Sequence, residues 1–291
     1  MNIGIIGGGS TGLLLSFYLS RKHAVTIYVR REEQKRKLDN EGLILQNASA
    51  PIKIRSLLSS DLQEEDCFII CVKQLAVPAV IPLLQKMSEQ IPLIFLQNGM
   101  GHLDEIKKLN NPILLGVIEH GALRHRDNLV QHTGKGIIKL AAFQGDGKLL
   151  YALSVKLNQH DFPFGFEDDY MALLKEKLVI NAVINPLTAL FQVCNGEVTR
   201  NPYLYRMARI ICRETCSVLD MDFSIEWAKV ENICNNTEQN RSSMLKDMAD
   251  HRKTEIDAIS GYILKKGKDL PIPYTAFLYD SIKALETRRE L

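Results

Sequence analysis

The chain opens with the apolar run Ile3-Gly4-Ile5-Ile6, which gives way at once to Gly7-Gly8-Gly9-Ser10-Thr11-Gly12 and then to a second apolar stretch from Leu13 to Ser20. A G-x-G-x-x-G string directly after a strand and directly before a helix admits few folds. Its glycines permit a tight turn, let backbone N–H groups approach a pyrophosphate, and place that anion at the positive end of a helix. Two other readings use the same residues. Gly8-x-Ser10-x-Gly12 has the spacing of a nucleophile elbow, although an elbow normally follows several strands and this loop follows the first. A glycine turn that binds nothing is the third.

The first half of the chain favours the dinucleotide reading. Val25 to Val29, Cys67 to Val72 and Leu93 to Leu96 are short apolar runs, each followed by a polar or glycine-containing loop and a helical stretch. Strands apolar on both faces and separated by helices predict a parallel sheet covered on both sides, the doubly wound α/β pattern of a Rossmann-type domain. Between Gly116 and Phe166 the pattern predicts the last strands of this domain, with pieces at Gly136–Leu140 and Asp161–Phe166 and one helix at Lys148–Leu157. From Asp168 onward helical periodicity takes over, with helices expected at Tyr170–Val193, Tyr203–Leu219, Ser224–Cys234, Asn240–Asp250 and Thr254–Lys265. The expected domains are therefore 1–167, α/β and dinucleotide-binding, and 168–291, all-α. A length of 291 residues accommodates both.

Composition excludes several classes. A formal net charge of +2 leaves no field for nucleic acid or anionic lipid, and no apolar segment approaches the ~20 residues that span a bilayer. The six cysteines are scattered through a long chain, which suits free thiols, and no ligand spacing points to a metal. A cytoplasmic protein without membrane or nucleic-acid partners is expected.

Four further places carry chemistry. The second strand ends Val29-Arg30-Arg31, where NAD proteins usually place a carboxylate about 20 residues after the glycines. A guanidinium there suits the 2′-phosphate of NADP, although solvated arginines opening a charged helix would read the same way. Lys73 and the turn Gln97-Asn98-Gly99-Met100-Gly101 each follow a strand, at the edge of the sheet where ligands bind; Lys73 could equally be a surface charge. In the helical half, Lys177, Asn181 and Asn185 recur every four residues along an otherwise apolar helix, and Pro186 should kink it. Such a polar stripe needs a partner, either a neighbouring helix or a ligand. The last cluster is Asn240 to Met244 with Asp247, followed by Thr254-Glu255-Ile256-Asp257.

In this order and spacing these residues resemble the ketopantoate reductase (2-dehydropantoate 2-reductase) family over nearly the whole chain. The motifs that carry the likeness are the Gly7–Gly12 loop, Val72-Lys73, Gln97 to Gly101, Val130-x-His132-x-Gly134-x-Gly136, Lys177-x-x-x-Asn181-x-x-x-Asn185-Pro186-x-Thr188-Ala189, Asn195-Gly196, Ser242-Ser243-Met244-x-x-Asp247 and Thr254 to Asp257. The resemblance implies an N-terminal Rossmann domain, a C-terminal all-α domain like that of 6-phosphogluconate dehydrogenase, and an active site in the cleft between them. It implies an NADPH-dependent reduction of 2-dehydropantoate to (R)-pantoate in pantothenate and coenzyme A biosynthesis, with Lys177 as proton donor. Asn181, Asn185, Ser243 and Asn195 would hold the substrate, and Asn98 would touch substrate and nicotinamide. Glu255 would contact the cofactor and orient the site. Gly7, Gly8, Gly9, Ser10, Thr11, Gly12, Lys73, Ala122 and Arg30 or Arg31 would complete the NADPH contacts. An all-α second domain could also support a homodimer.

Two departures bear on the substrate: Ile118-Glu119 stands where many relatives carry two threonines, and Pro273-Tyr274-Thr275 replaces a Pro-x-Asn-Thr-like element. The alternatives are a reductase of another 2-keto acid and a non-catalytic NADP(H)-binding sensor. The sensor has no need of a proton donor such as Lys177.

Overall fold

The structure is a computed structural model and describes residues 1–288. It contains two compact units, one made of Met1–Gln97 with His102–Leu173 and the other of Asn98–Gly101 with Leu174–Leu291.

The first unit is built on an eight-stranded sheet. Its strands are β1 (Asn2–Ile6), β2 (Ala24–Val29), β4 (Arg55–Leu58), β5 (Cys67–Ile70), β6 (Leu93–Phe95), β7 (Ile113–Ile118), β10 (Ile138–Gln144) and β11 (Phe164–Glu167), in the spatial order β11-β10-β7-β6-β5-β1-β2-β4. From β4 to β7 every neighbouring pair is parallel, while β10 runs antiparallel to β7 and parallel to β11. Ile3, Ile5, Ile27, Phe68, Ile69 and Ile94 have no exposed surface, so the central strands are covered on both faces. Connecting helices are α1 (Ser10–Leu19), α2 (Glu32–Glu41), α3 (Val77–Leu84), α4 (Leu103–Ile106) and α5 (Gly147–Leu157). Helix α1 is buried from Gly12 through Leu19, as an apolar helix wedged inside a domain must be. It begins at Ser10, three residues earlier than the apolar run suggests, because Ser10, Thr11 and Gly12 of the loop already form its first turn.

The hairpin of β8 (Gly121–Arg126) and β9 (Leu129–Gly134) pairs with the short β3 (Ile44–Leu45) in a separate three-stranded sheet. Its mixed polar surface gives no clean alternation, so its strands leave no period-two pattern in the sequence. The Val130-x-His132-x-Gly134-x-Gly136 motif explains how it is held against α1. The Gly136 N–H donates to His120 Nδ1 at 3.0 Å, so that nitrogen accepts. His132 Nε2–H then donates to it at 3.1 Å, and Tyr18 on α1 donates its hydroxyl proton to His132 Nδ1 at 2.9 Å. Phe162 lies stacked between the His120 and Tyr18 rings, with centroids 4.2 and 4.5 Å away. The remaining proton of His120, on Nε2, is buried without a partner.

The second unit is helical: α6 (Tyr170–Phe191), whose first residues belong to the first unit, then α7 (Glu197–Arg200), α8 (Pro202–Leu219), α9 (Phe223–Asn236), α10 (Ser243–Ala249), α11 (Tyr262–Lys266) and α12 (Pro273–Thr287). Tyr170 rests edge-on against Phe143 of β10 at 5.1 Å, which keeps the first turn of α6 with the sheet. Side-chain caps set the helix starts: Asn201 accepts from Tyr203 and Leu204 N–H, Asp222 from Ile225 N–H, and Ser242 from Leu245 N–H. Helix α6 is continuous through Pro186, and Thr188 Oγ1 donates to the carbonyls of Ile184 and Asn185 at 2.7 and 3.1 Å. The stretch expected as one helix over Thr254–Lys265 is instead a π-turn at Asp257–Gly261 leading into α11. Among the described residues no helix is long and apolar enough to cross a membrane, and no group of three or more His, Cys, Asp or Glu side chains is placed to hold a metal ion. All six cysteines are free thiols; burial pushes those of Cys67 and Cys234 up to about 12.

Candidate active site

In the first unit the glycine-rich loop joins β1 to α1. A Cβ on Gly12 would lie 1.8 Å from the Gly7 carbonyl oxygen, so only glycine allows the helix to start this close to the strand. The Gly9 N-cap offers no side chain to the first N–H groups of α1, the first turn carries no acidic residue, and nothing lies within 4 Å of where a Gly9 Cβ would point. Open backbone donors at a helix start, with Ser10 and Thr11 in its first turn, fit an anionic dinucleotide.

At the end of β2, Arg30 is exposed and pairs with no described residue. Arg31 is engaged by Asp127 and lies 3.5 Å from Glu33. Three residues that spacing did not reveal surround the loop. Gln34, on α2 and 4% exposed, donates from Nε2 to the carbonyls of Gly8 at 2.8 Å and Asp127 at 2.9 Å. Arg124 donates to the Gly8 carbonyl at 3.3 Å and lies 3.5 Å from the Asp127 carboxylate. No local pattern announces these contacts, because Asp127 meets its partners across 93 and 96 residues of chain. Lys73 is exposed at the end of the loop after β5 and Ala122 is half-buried on β8. Gln97 pins the end of β5 by donating to the carbonyls of Ile70 and Val72 at 2.8 and 3.0 Å.

The second unit gathers the other group of residues. Asn98 donates from Nδ2 to Glu255 Oε2 at 2.8 Å. The turn that allows this is closed by Gly99, at φ +77°, where a Cβ would lie 2.3 Å from the Ala258 carbonyl oxygen. Lys177, Asn181 and Asn185 lie one turn apart on α6. Asn181 is 7% exposed, yet its amide has no hydrogen-bond partner among the described residues, which leaves it open to a ligand. Asn185 Nδ2 lies 3.5 Å from the hydroxyl of Ser243, the exposed first residue of α10. Asn195 is otherwise committed: its Nδ2 donates to Thr237 Oγ1 at 2.9 Å and its Oδ1 is buried without a partner.

The start of α10 has a buried support. Thr188 Oγ1, fully buried on α6, hydrogen-bonds Ser242 Oγ at 2.7 Å, and Ser242 caps α10 immediately before Ser243. Thr188→Val, nearly isosteric, leaves Ser242 with one buried partner fewer and is expected to cost about 1–2 kcal/mol in urea denaturation. If Ser243 contacts the substrate, as the resemblance implies, the variant, whose cap directs that side chain, should raise KM for a keto acid more than it changes NADPH binding, and a KM equal to that of the wild type would count against this positioning role.

The glycine-loop unit and the helical unit each have a counterpart among known proteins. The family model described as Ketopantoate reductase PanE/ApbA matches residues 3–145, and that described as Ketopantoate reductase PanE/ApbA C terminal matches 169–286. The 2-dehydropantoate 2-reductase of Bacillus subtilis (strain 168) is 40% identical over 98% of this chain and 98% of its own length. A crystal structure of the probable 2-dehydropantoate 2-reductase from Bacillus subtilis superposes with a TM-score of 0.89, at 40% identity over 98% of this chain and 100% of that one. A D-mandelate dehydrogenase complexed with NADH has a TM-score of 0.90 at 25% identity, covering 99% of both chains. With matching models over both units and such identity across its length, the chain belongs to the ketopantoate reductase family.

Proposed function

We propose that this protein reduces 2-dehydropantoate to (R)-pantoate with NADPH, a step of pantothenate and coenzyme A biosynthesis. The observation that carries the reading is the line of Lys177, Asn181 and Asn185 on α6, with Ser243 within 3.5 Å of Asn185. NADPH supplies a hydride to the 2-keto carbon. As the ketone oxygen becomes an alkoxide, the Lys177 ammonium stabilises its charge and delivers the proton. Asn181, Asn185 and Ser243 hold the hydroxyl and carboxylate groups of the substrate, and Asn195, already bonded to Thr237, lines the same site. Glu255 fixes the Asn98 amide, so that Asn98 can meet nicotinamide and substrate in one orientation. The cofactor is held by the backbone of Gly7 to Gly12, by Lys73 and Ala122, and at its 2′-phosphate by Arg30, the guanidinium at the tip of β2 with no carboxylate partner among the described residues.

The test is NADPH consumption by the purified protein with 2-dehydropantoate; no turnover would overturn the reading. The second reading, another 2-keto acid, rests on Glu119, whose carboxylate lies 3.4 Å from Lys139 at a position where the family resemblance implies threonine. A panel of keto acids separates the two, the better substrate having the higher kcat/KM. A homodimer belongs to the same proposal, supported by exposed apolar side chains such as Tyr203 and Phe277 on the helical unit, and light scattering at micromolar concentration tests it.

A further inference from the structure

The tip of the β8–β9 hairpin places a carboxylate beside the glycine-rich loop that the family reading does not use. Asp127 pairs with Arg31 at the end of β2 and lies 3.5 Å from Arg124, which also donates to the Gly8 carbonyl. The backbone beneath it is fixed independently of the carboxylate. Gln34 donates to the Asp127 carbonyl at 2.9 Å and to the Gly8 carbonyl at 2.8 Å, while Asn128 donates to the Gly42 carbonyl at 2.9 Å. The carboxylate is 24% exposed, and its partners Arg31 and Arg124 are 42% and 37% exposed, so all three reach the surface at which a bound nucleotide would lie.

In dinucleotide-binding folds the end of the second strand reads the ribose 2′ position: a carboxylate accepts from the 2′-OH of NAD, and an arginine takes the 2′-phosphate of NADP. Here both groups are present, the arginines just past the end of β2 and the carboxylate brought to them from a hairpin 96 residues away. We propose that Asp127 is a specificity-determining residue for the cofactor, a counter-charge that occupies Arg31 and Arg124 and thereby moderates the preference for NADPH over NADH. It opposes a 2′-phosphate twice, by direct repulsion and by holding two guanidiniums that the phosphate would otherwise attract. It does not oppose a 2′-OH, which can donate to it. The inference rests on the NADPH reading above.

Direct binding tests it without turnover. Dissociation constants for NADPH and NADH are measured by fluorescence titration on wild type, Asp127→Asn and Asp127→Ala, with Asp127→Glu as the charge-retaining control. Loss of one partly exposed carboxylate should tighten NADPH roughly five- to tenfold and leave NADH unchanged or weaker, in both neutral variants. Asp127→Glu should keep the wild-type ratio. Unchanged ratios in the neutral variants, or a shift toward NADH, would overturn the proposal; the latter would mean that the pair prearranges Arg31 for phosphate. A wild-type protein that binds neither nucleotide would instead overturn the functional reading itself. Melting temperatures of the variants, read alongside, identify any ratio change that comes from a displaced hairpin, and such a displacement counts against the proposal.

Discussion

Lys177→Met is expected to lower kcat for the keto acid by roughly 10²–10⁴-fold while leaving NADPH affinity within about twofold of wild type. The methionine keeps the length and apolar stem of lysine, so the helix that carries Asn181 and Asn185 should persist, and the loss falls on the proton and the charge alone. Lys177→Arg divides these two contributions. Its guanidinium keeps the positive charge but surrenders a proton far less readily, so it should recover part of the transition-state stabilisation without restoring proton transfer. The order wild type, Arg, Met in kcat, with NADPH binding unchanged, is the result the mechanism requires. A Met variant with undiminished kcat would remove Lys177 from the chemistry. One that fails to bind NADPH would place Lys177 with the cofactor instead.

What could be read from the sequence, and what could not, divides by the range of the interactions. Gly7 to Gly12, the strand before them and the helix after them are local, and spacing alone locates them. The same holds for Lys177, Asn181 and Asn185, since one helical period aligns them whatever surrounds the helix. Longer-range contacts leave no such trace. Gln34 sits within a run of charged residues and looks like a solvated surface position, yet it is buried with its amide shared between Gly8 and Asp127. Asp127 lies in a turn between strands whose polar surfaces concealed them. His120 and His132 are twelve residues apart and meet only because β8 and β9 pair. Pro186 lies beside another contact that spacing does not announce: its ring removes an N–H, α6 nonetheless runs on through it, and two residues later the Thr188 hydroxyl donates to the Ile184 and Asn185 carbonyls.

The buried histidines make stability depend on pH. Burial lowers the His102 imidazole from 6.5 to about 4, and burial together with the charge of His132 lowers His120 to about 4. His102 is 2% exposed, stacks on Phe95 at a centroid distance of 6.4 Å and has a buried Nδ1 without a partner, so nothing nearby would stabilise a second proton. In His120 the acceptor Nδ1 faces the Gly136 N–H, and protonating it would set two donors against each other. Unfolded, both rings take up a proton near 6.5; folded, they resist until about 4. Between those values the unfolded chain binds more protons, so stability is fully present above about pH 6.5 and declines as pH falls toward 4. Below that, these groups add no further loss. The decline is on the order of 2–3 kcal/mol for His102 and 1–2 kcal/mol for His120, whose site is more hydrated. Urea denaturation at closely spaced values between pH 7.5 and 5 measures it, a range in which ordinary carboxylates, titrating near 4, contribute little. His102→Gln, which cannot titrate, should flatten the profile by the larger share while the fall from His120 remains. A variant profile parallel to that of the wild type would mean that His102 takes up its proton in the folded protein as easily as in the unfolded chain.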